Sequence, residues 1–209
     1  MNQNQNTLVL MIHGGYSSGN RVDDGISNRE IIENKYTTNK GNPIWTENLG
    51  NLLDQDKFEV FCPLFPNGQD MVYTERERFL NQVLSDEQFK EYQNLILISH
   101  SLGTVFLQKY LCENNVEEKF GKKLVQLHFV ACSVDYGDFK LSKNWENILN
   151  QVEPSQIYLY YSEDDIQVEL KETLLYKQNL GEANIQAFED RGHFTSPDFP
   201  ELVENIYKI

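Results

Sequence analysis

The chain has 209 residues, of which 40% are hydrophobic and 24% are charged, and its formal net charge at pH 7 is −14. Nucleic acids and anionic membranes attract clustered Lys and Arg, so this charge argues against both as partners. The length fits a single domain over 1–209, with enough chain to bury a sizeable core.

The ends of the chain and its cysteines bear on compartment. Residues 1–6 are polar and lack the basic and then apolar order of a signal peptide. No apolar run approaches the ~20 residues that a membrane helix needs. Cys62, Cys112 and Cys132 are odd in number and show no C-x-x-C spacing, which favours free thiols in a reducing compartment. We therefore expect a cytoplasmic protein. The sequence shows no metal-ligand spacing, and we expect the protein to bind neither a metal nor a cofactor.

Strands and helices alternate in the first half of the chain. The apolar run Thr7–Ile12 predicts a buried strand that leads into His13-Gly14-Gly15. A helix is predicted over 44–53, a strand near the sheet edge over 58–63, and a long amphipathic helix over 74–92. Thr74 and Glu77 fit a capping box at the start of that last helix.

Residues 16–43 form the least regular stretch, rich in Gly, Asn and Asp. A connection of this length without clear structure is unusual and is often functional. One interpretation is a lid over a site at the end of the first strand. The other is a solvated insertion with one short helix near 29–34.

The most informative stretch lies near the middle of the chain. Residues 95–98 are continuously apolar, as in a parallel strand that is buried on both faces. The sequence S-H-S-L-G follows at 99–103, and apolar residues then recur at helical spacing from Val105. This pattern predicts a strand that turns sharply into a helix, with Ser101 at the turn.

The second half continues the alternation. Strands are predicted over 123–132, 157–161 and 184–188, a loop over 135–138, and helices over 144–152, 168–180 and 200–209. Gly181 would close the helix over 168–180 as its C-cap. Such alternation implies a three-layer α/β sandwich, with a mostly parallel sheet of about six strands and helices on both faces.

The turn at Ser101 resembles the nucleophile elbow of the α/β-hydrolases, although Ser99 stands where the usual G-x-S-x-G pattern has its first glycine. Over most of its length the chain is similar to the small serine hydrolases related to retinoblastoma-binding protein 9 and to YdeN-type proteins. Several features carry that likeness: H-G at 13–14, Trp45, S-H-S-L-G at 99–103, S-x-D-D at 162–165 and G-H-F at 192–194. Ile166 and Glu169 depart from it, because that family has prolines there.

The resemblance implies a catalytic triad of Ser101, Asp165 and His193. His193 follows a late strand, and the family pattern D-x-x-V fits 165–168, which favours Asp165 over Asp164 as the acid. Taken singly, His193 reads as a surface histidine and the acidic pair as a solvated turn that caps the next helix. The order of the three groups, each after a different predicted strand, favours the triad.

The resemblance also assigns an oxyanion hole to the backbone N–H groups of Leu102 and Gly15, with Tyr16 as the alternative to Gly15. Tyr16 and His100 are candidate pocket residues. The segment between Ser133 and Ser155 is too short for a large cap domain, which predicts a small or open acyl pocket. The expected function is therefore a serine hydrolase acting on a small carboxylic ester or thioester.

Two alternatives remain at this point. A non-catalytic member of the same fold would bind a protein partner of unidentified kind instead of turning over a substrate. Acyl transfer or peptidase activity would use the same three side chains. The sequence does not distinguish either alternative from the expected ester hydrolase.

Overall fold

A computed structural model of the protein describes residues 6–15, 45–66, 71–137 and 139–209. The predicted 16–43 insertion, with its candidate lid and with Tyr16, lies outside the described residues.

A six-stranded sheet and a two-stranded ribbon contain the strands of the described chain. They span Thr7–Ile12 (β1), Phe58–Phe61 (β2), Asn94–His100 (β3), Lys123–Val130 (β4), Asp135–Tyr136 (β5), Phe139–Lys140 (β6), Ile157–Ser162 (β7) and Asn184–Phe188 (β8). The sheet has the order β2-β1-β3-β4-β7-β8, and every neighbouring pair is parallel. The predicted parallel sheet of about six strands is confirmed, and the strand predicted near the edge is the edge strand β2.

Seven α-helices accompany the sheet in the described residues. They span Trp45–Leu52 (α1), Tyr73–Ser85 (α2), Leu102–Glu113 (α3), Val116–Phe120 (α4), Glu146–Leu149 (α5), Leu170–Leu180 (α6) and Pro200–Ile206 (α7). Short 3-10 helices cover Glu87–Phe89 and Pro154–Gln156.

The alternation of side chains along the central strands builds a core on each face of the sheet. All six residues of β1 are buried. Leu8, Leu10 and Ile12 belong to one core with residues of α2 to α6, whereas Val9 and Met11 belong to the other with residues of α1 and α7. A strand buried on both sides reads as a continuous apolar run, which is why β1 and β3 were recognisable from sequence.

The capping box predicted for Thr74 and Glu77 is wrong. The helix begins one residue earlier, at Tyr73, and its N-cap Val72 makes no side-chain cap hydrogen bond. The carboxylate of Glu77 instead accepts a hydrogen bond from Asn114 at the end of α3. A contact between two helices has therefore replaced the local cap.

The connection between β4 and β7 is short. A loop was predicted over 135–138, but residues 135 and 136 form β5, which pairs with β6 in an antiparallel ribbon that is followed by α5. The described residues contain no large cap domain, as the length of this segment predicted. No helix in the described ranges is long and apolar enough to cross a membrane.

Candidate active site

Ser101 lies at the junction of β3 and α3, in an uncommon backbone conformation with φ 54° and ψ −127°. A positive φ costs a non-glycine residue ~1–3 kcal/mol and persists only where the surroundings enforce it. Here the N–H of Ser101 donates to the carbonyl of Val130 at 2.9 Å, and its carbonyl accepts from Thr104 N–H at 2.8 Å. The turn is thus held on both sides, and it presents the serine side chain at the carboxyl end of the sheet.

Two glycines allow this turn to pack on the end of β1. A Cβ on Gly103 would lie 2.3 Å from the carbonyl oxygen of Ile12, closer than any real side chain approaches. A Cβ on Gly14 would lie 2.9 Å from the Cβ of Ser101. Ser99, which departs from the family glycine, is fully buried, and its hydroxyl donates to the carbonyl of His128 at 3.3 Å.

The side chains of Ser101, His193 and Asp165 form one hydrogen-bonded chain. The Nδ1 of His193 lies 2.8 Å from Oδ2 of Asp165, and its Nε2 lies 2.9 Å from Oγ of Ser101. A carboxylate only accepts, so Nδ1 carries the proton and Nε2 is free to accept from the serine hydroxyl. The side chain of Asp165 is 2% exposed and that of His193 is 11% exposed.

The two neighbouring aspartates have different partners. The other oxygen of Asp165 accepts from the N–H groups of Gln167 and Val168, which fixes the carboxylate toward His193. Asp164 accepts from the hydroxyl of Ser162 at 2.6 Å and from Gly192 N–H at 2.7 Å. These two bonds lower the pKa of Asp164 below its ordinary value, and the bond from Ser162 has the larger effect. Asp164 therefore joins the two loops instead of capping a helix.

The segment 191–196, here called the histidine loop, is also held by hydrogen bonds from α1. Trp45 donates its indole N–H to the carbonyl of Phe194 at 2.8 Å and its backbone N–H to that of Ser196 at 2.8 Å. Phe194 has a positive φ of 53°. These bonds from the first residue of α1 fix a loop that is 149 residues away in sequence.

His100 supports the same loop. Its Nε2 lies 2.9 Å from the carbonyl oxygen of His193, and its ring packs against those of Trp45 and His193. Burial, and then the nearby His193, lower the pKa of His100 to about 3, so the ring is neutral and donates this bond. The structure gives His100 a buried supporting position, and its place in a substrate pocket stays a prediction.

Leu102 and Gly15 are the two predicted oxyanion donors. Leu102 is the first residue of α3, where N–H groups have no partner within the helix and the helix dipole is positive. Gly15 follows Gly14, whose backbone lies against the serine turn. Among the residues that the structure describes, no backbone hydrogen bond from either N–H is found.

Sequence reasoning missed the groups behind Gly15. His13 is buried, accepts from Phe65 N–H at its Nε2 (2.8 Å) and contacts the carbonyl of Gly14 through Nδ1 (2.7 Å). Arg76 of α2 is fully buried, with Nη1 3.2 Å from the carbonyl of His13 and Nη2 3.5 Å from that of Gly14. One signal was present: Arg76 shares the apolar face of its helix with Leu80 and Val83, a place where arginine is rare.

The structure thus brings together Ser101, His193 and Asp165. Gly14 lies against Ser101 and the backbone nitrogen of Leu102, and the oxyanion-hole role of Leu102 and Gly15 stays a prediction. Tyr16 lies outside the described residues. The described part of the chain contains no group of three or more His, Cys, Asp or Glu side chains arranged to hold a metal ion.

Proteins of known structure share this fold across their lengths. The ydeN gene product from B. subtilis matches with a TM-score of 0.56 and 15% identity, covering 96% of this chain and 97% of that one. A lipase-esterase related protein from Clostridium acetobutylicum has a TM-score of 0.58 and 10% identity, covering 97% and 94%. XC6422 from Xanthomonas campestris, an α/β serine hydrolase without a lid, has a TM-score of 0.55 and 12% identity, covering 96% and 79%.

No family model matches the sequence, and no curated protein matches it. The structural likeness shows that the chain has the α/β-hydrolase fold, with a YdeN-type resemblance, as the sequence predicted.

Proposed function

We propose that the protein is a serine hydrolase that cleaves a small carboxylic ester or thioester through an acyl-enzyme on Ser101. The observation that carries this proposal is the chain of hydrogen bonds from Ser101 through His193 to Asp165, which begins at a serine in a strained backbone conformation. A serine hydroxyl is a poor nucleophile until an oriented base takes its proton, and these contacts supply both base and orientation.

In the proposed reaction, Oγ of Ser101 attacks the carbonyl carbon while Nε2 of His193 takes its proton. Asp165 keeps the proton on Nδ1 and stabilises the imidazolium that forms. The N–H groups of Leu102 and Gly15 receive the oxyanion, and each such donor is worth ~3 kcal/mol in the transition state. The imidazolium then protonates the leaving alcohol or thiol, and water releases the acyl group by the same steps in reverse.

The size of the substrate is proposed from the short segment between β4 and β7. In the described chain it holds only a two-stranded ribbon, α5 and the 3-10 helix Pro154–Gln156, which is too little for a large cap domain. One structural neighbour is named as a serine hydrolase without a lid, and another as lipase-esterase related. A short acyl group needs little enclosure, and p-nitrophenyl acetate is therefore a suitable first substrate.

The proposal is tested by labelling the folded protein with a fluorophosphonate probe. We expect the wild type to be labelled and Ser101→Ala to be unlabelled, because only an activated serine reacts with the probe. Ser133→Ala is the matched control, since Ser133 lies next to α3 but makes only a long hydrogen bond through its hydroxyl. Labelling that persists in Ser101→Ala, or a folded wild type that is not labelled, would overturn the proposal and favour a binding protein with the same fold.

A further inference from the structure

We propose that Arg76 is a positioning residue of the oxyanion hole, where it acts with His13 through the peptide group between Gly14 and Gly15. This inference rests on the proposed hydrolase function. The carbonyl of Gly14 and the N–H of Gly15 belong to one peptide group, so whatever binds the carbonyl also orients the N–H at the other end.

Two donors meet on that carbonyl. Nδ1 of His13 lies 2.7 Å from the carbonyl oxygen of Gly14, and Nη2 of Arg76 lies 3.5 Å from it. Nη1 of Arg76 lies 3.2 Å from the carbonyl of His13, so the guanidinium spans two successive carbonyls of the turn after β1. This contact fixes the turn against α2 and directs the next N–H away from the guanidinium.

The protonation of His13 is fixed by its surroundings. The N–H of Phe65 donates to Nε2 of His13, so that nitrogen carries no proton and Nδ1 is the donor. Burial, and then the charge of Arg76, hold the pKa of His13 well below its ordinary value, so the ring stays neutral. The ring of His13 also packs edge-on against Phe65, over which the guanidinium of Arg76 lies at 5.5 Å.

Arg76 is fully buried next to the turn. A charge held inside the protein interacts more strongly with neighbouring dipoles than a charge in water does. Placed behind the Gly14–Gly15 peptide, the charge of Arg76 polarises that peptide and makes the Gly15 N–H a stronger donor. The same charge stabilises a developing oxyanion.

The effect is confined to states that carry an oxyanion. A ground-state ester has a neutral carbonyl and gains little from a stronger donor, whereas a tetrahedral adduct gains much. Loss of Arg76 should therefore lower kcat and leave KM nearly unchanged, as expected when an interaction is made only in the transition state. A trifluoromethyl ketone, which forms a tetrahedral adduct with an active-site serine, reports on the same state without turnover.

The experiment compares wild type, Arg76→Met, Arg76→Lys and Val83→Ala for hydrolysis of p-nitrophenyl acetate and inhibition by a trifluoromethyl ketone. Val83→Ala is the control, because it loosens the buried face of the same helix at a position seven residues from Arg76. For Arg76→Met we expect kcat to fall ~100-fold, the inhibition constant to rise by a similar factor and KM to stay within about threefold. Arg76→Lys keeps the charge but loses the paired N–H donors of the guanidinium. Its kcat and its ketone affinity should therefore lie between those of Arg76→Met and the wild type.

The inference would be overturned if Arg76→Met folds, is less stable than wild type, and keeps both kcat and ketone affinity within threefold of the wild-type values. If Arg76→Met does not fold, Arg76→Lys decides, and a ketone affinity equal to wild type would overturn it. A wild type that neither hydrolyses the ester nor forms the ketone adduct would instead overturn the proposed function. The two failures are thus distinguishable.

Discussion

Asp164 and Asp165 are adjacent in sequence and carry the same functional group, yet their positions predict different consequences of mutation. Asp165→Asn should lower kcat for p-nitrophenyl acetate by ~10⁴-fold, because an amide at this position favours the wrong tautomer of His193. Asp164→Asn should stay within ~tenfold of wild type, since its oxygen still accepts from Ser162 and Gly192, only less strongly than a carboxylate.

Steady-state kinetics of the two variants, with folding checked by circular dichroism, provide the comparison. Each serves as the control for the other, because both remove one negative charge from the same turn. A larger loss of kcat in Asp164→Asn than in Asp165→Asn would exchange the roles assigned to them.

The sequence distinguished these aspartates only through spacing, since D-x-x-V at 165–168 matched a family pattern. The physical reason is visible in the structure, where the carboxylate of Asp165 accepts from the N–H groups of residues 167 and 168 and so turns toward His193. Arg76 matched no family pattern. Its spacing from Leu80 and Val83 placed it on the apolar face of the helix, unlike the exposed Arg78, but its contacts with the turn after β1 could not be read from the sequence.

At the level of elements, the contact between α3 and β1 sets the geometry of the serine turn. Gly103→Ala should destabilise the protein by ~3 kcal/mol, because the added Cβ meets two backbone carbonyls that cannot move independently. Thermal or urea unfolding measures the loss. The value of kcat should also fall under conditions in which the variant is folded. Relief of this clash pushes α3, and with it the Leu102 N–H, away from β1.

Gly50→Ala is the matched control for that substitution. Gly50 lies in α1, and its added Cβ would make only an ordinary contact, 3.9 Å from Val60. In a helix interior, alanine is preferred to glycine by ~0.5–1 kcal/mol, so this variant should be slightly more stable than wild type. Similar losses in both variants would mean that glycine is not specifically required at position 103.

The elements themselves were largely predictable, because their periodicities are strong. The six strands of the sheet and the long helices were recognised from apolar runs and helical spacing. Helix ends were less predictable, as at α2, where Glu77 contacts α3 instead of completing a local capping box. A local signal fails where a residue distant in sequence offers the same side chain a partner.

At the level of the whole molecule, a buried polar network joins the sheet to the C-terminal helix. His128 of β4 contacts the hydroxyl of Tyr160 through Nδ1 (3.0 Å) and Oε1 of Gln126 through Nε2 (3.1 Å). Asn205 of α7 donates to the same hydroxyl at 2.9 Å, and Tyr158 stacks on the imidazole at 4.9 Å. The sequence placed His128 in a strand but did not show these partners. Only Gln126 belongs to the same strand, whereas Tyr158 and Tyr160 come from β7 and Asn205 from α7.

This network makes stability depend on pH. Burial lowers the pKa of His128 from 6.5 to about 3, so between these values the unfolded chain binds a proton that the folded protein does not. The stabilisation is complete above pH 6.5 and is lost as the pH falls toward 3, by up to ~1.4 kcal/mol per pH unit. His13 and His100, which are buried with lowered pKa values, act in the same direction.

Urea unfolding between pH 4 and pH 7 isolates the contribution of His128. His128→Gln removes the titrating group, so its free energy of unfolding should fall less steeply with pH than that of wild type, by up to ~1.4 kcal/mol per unit. Tyr158→Phe is the control: it alters the stacking partner of His128 and leaves the histidine in place, so it should shift stability at every pH and keep the wild-type slope. Equal slopes in wild type and His128→Gln would contradict the prediction, because a buried neutral histidine must take up its proton when the core opens.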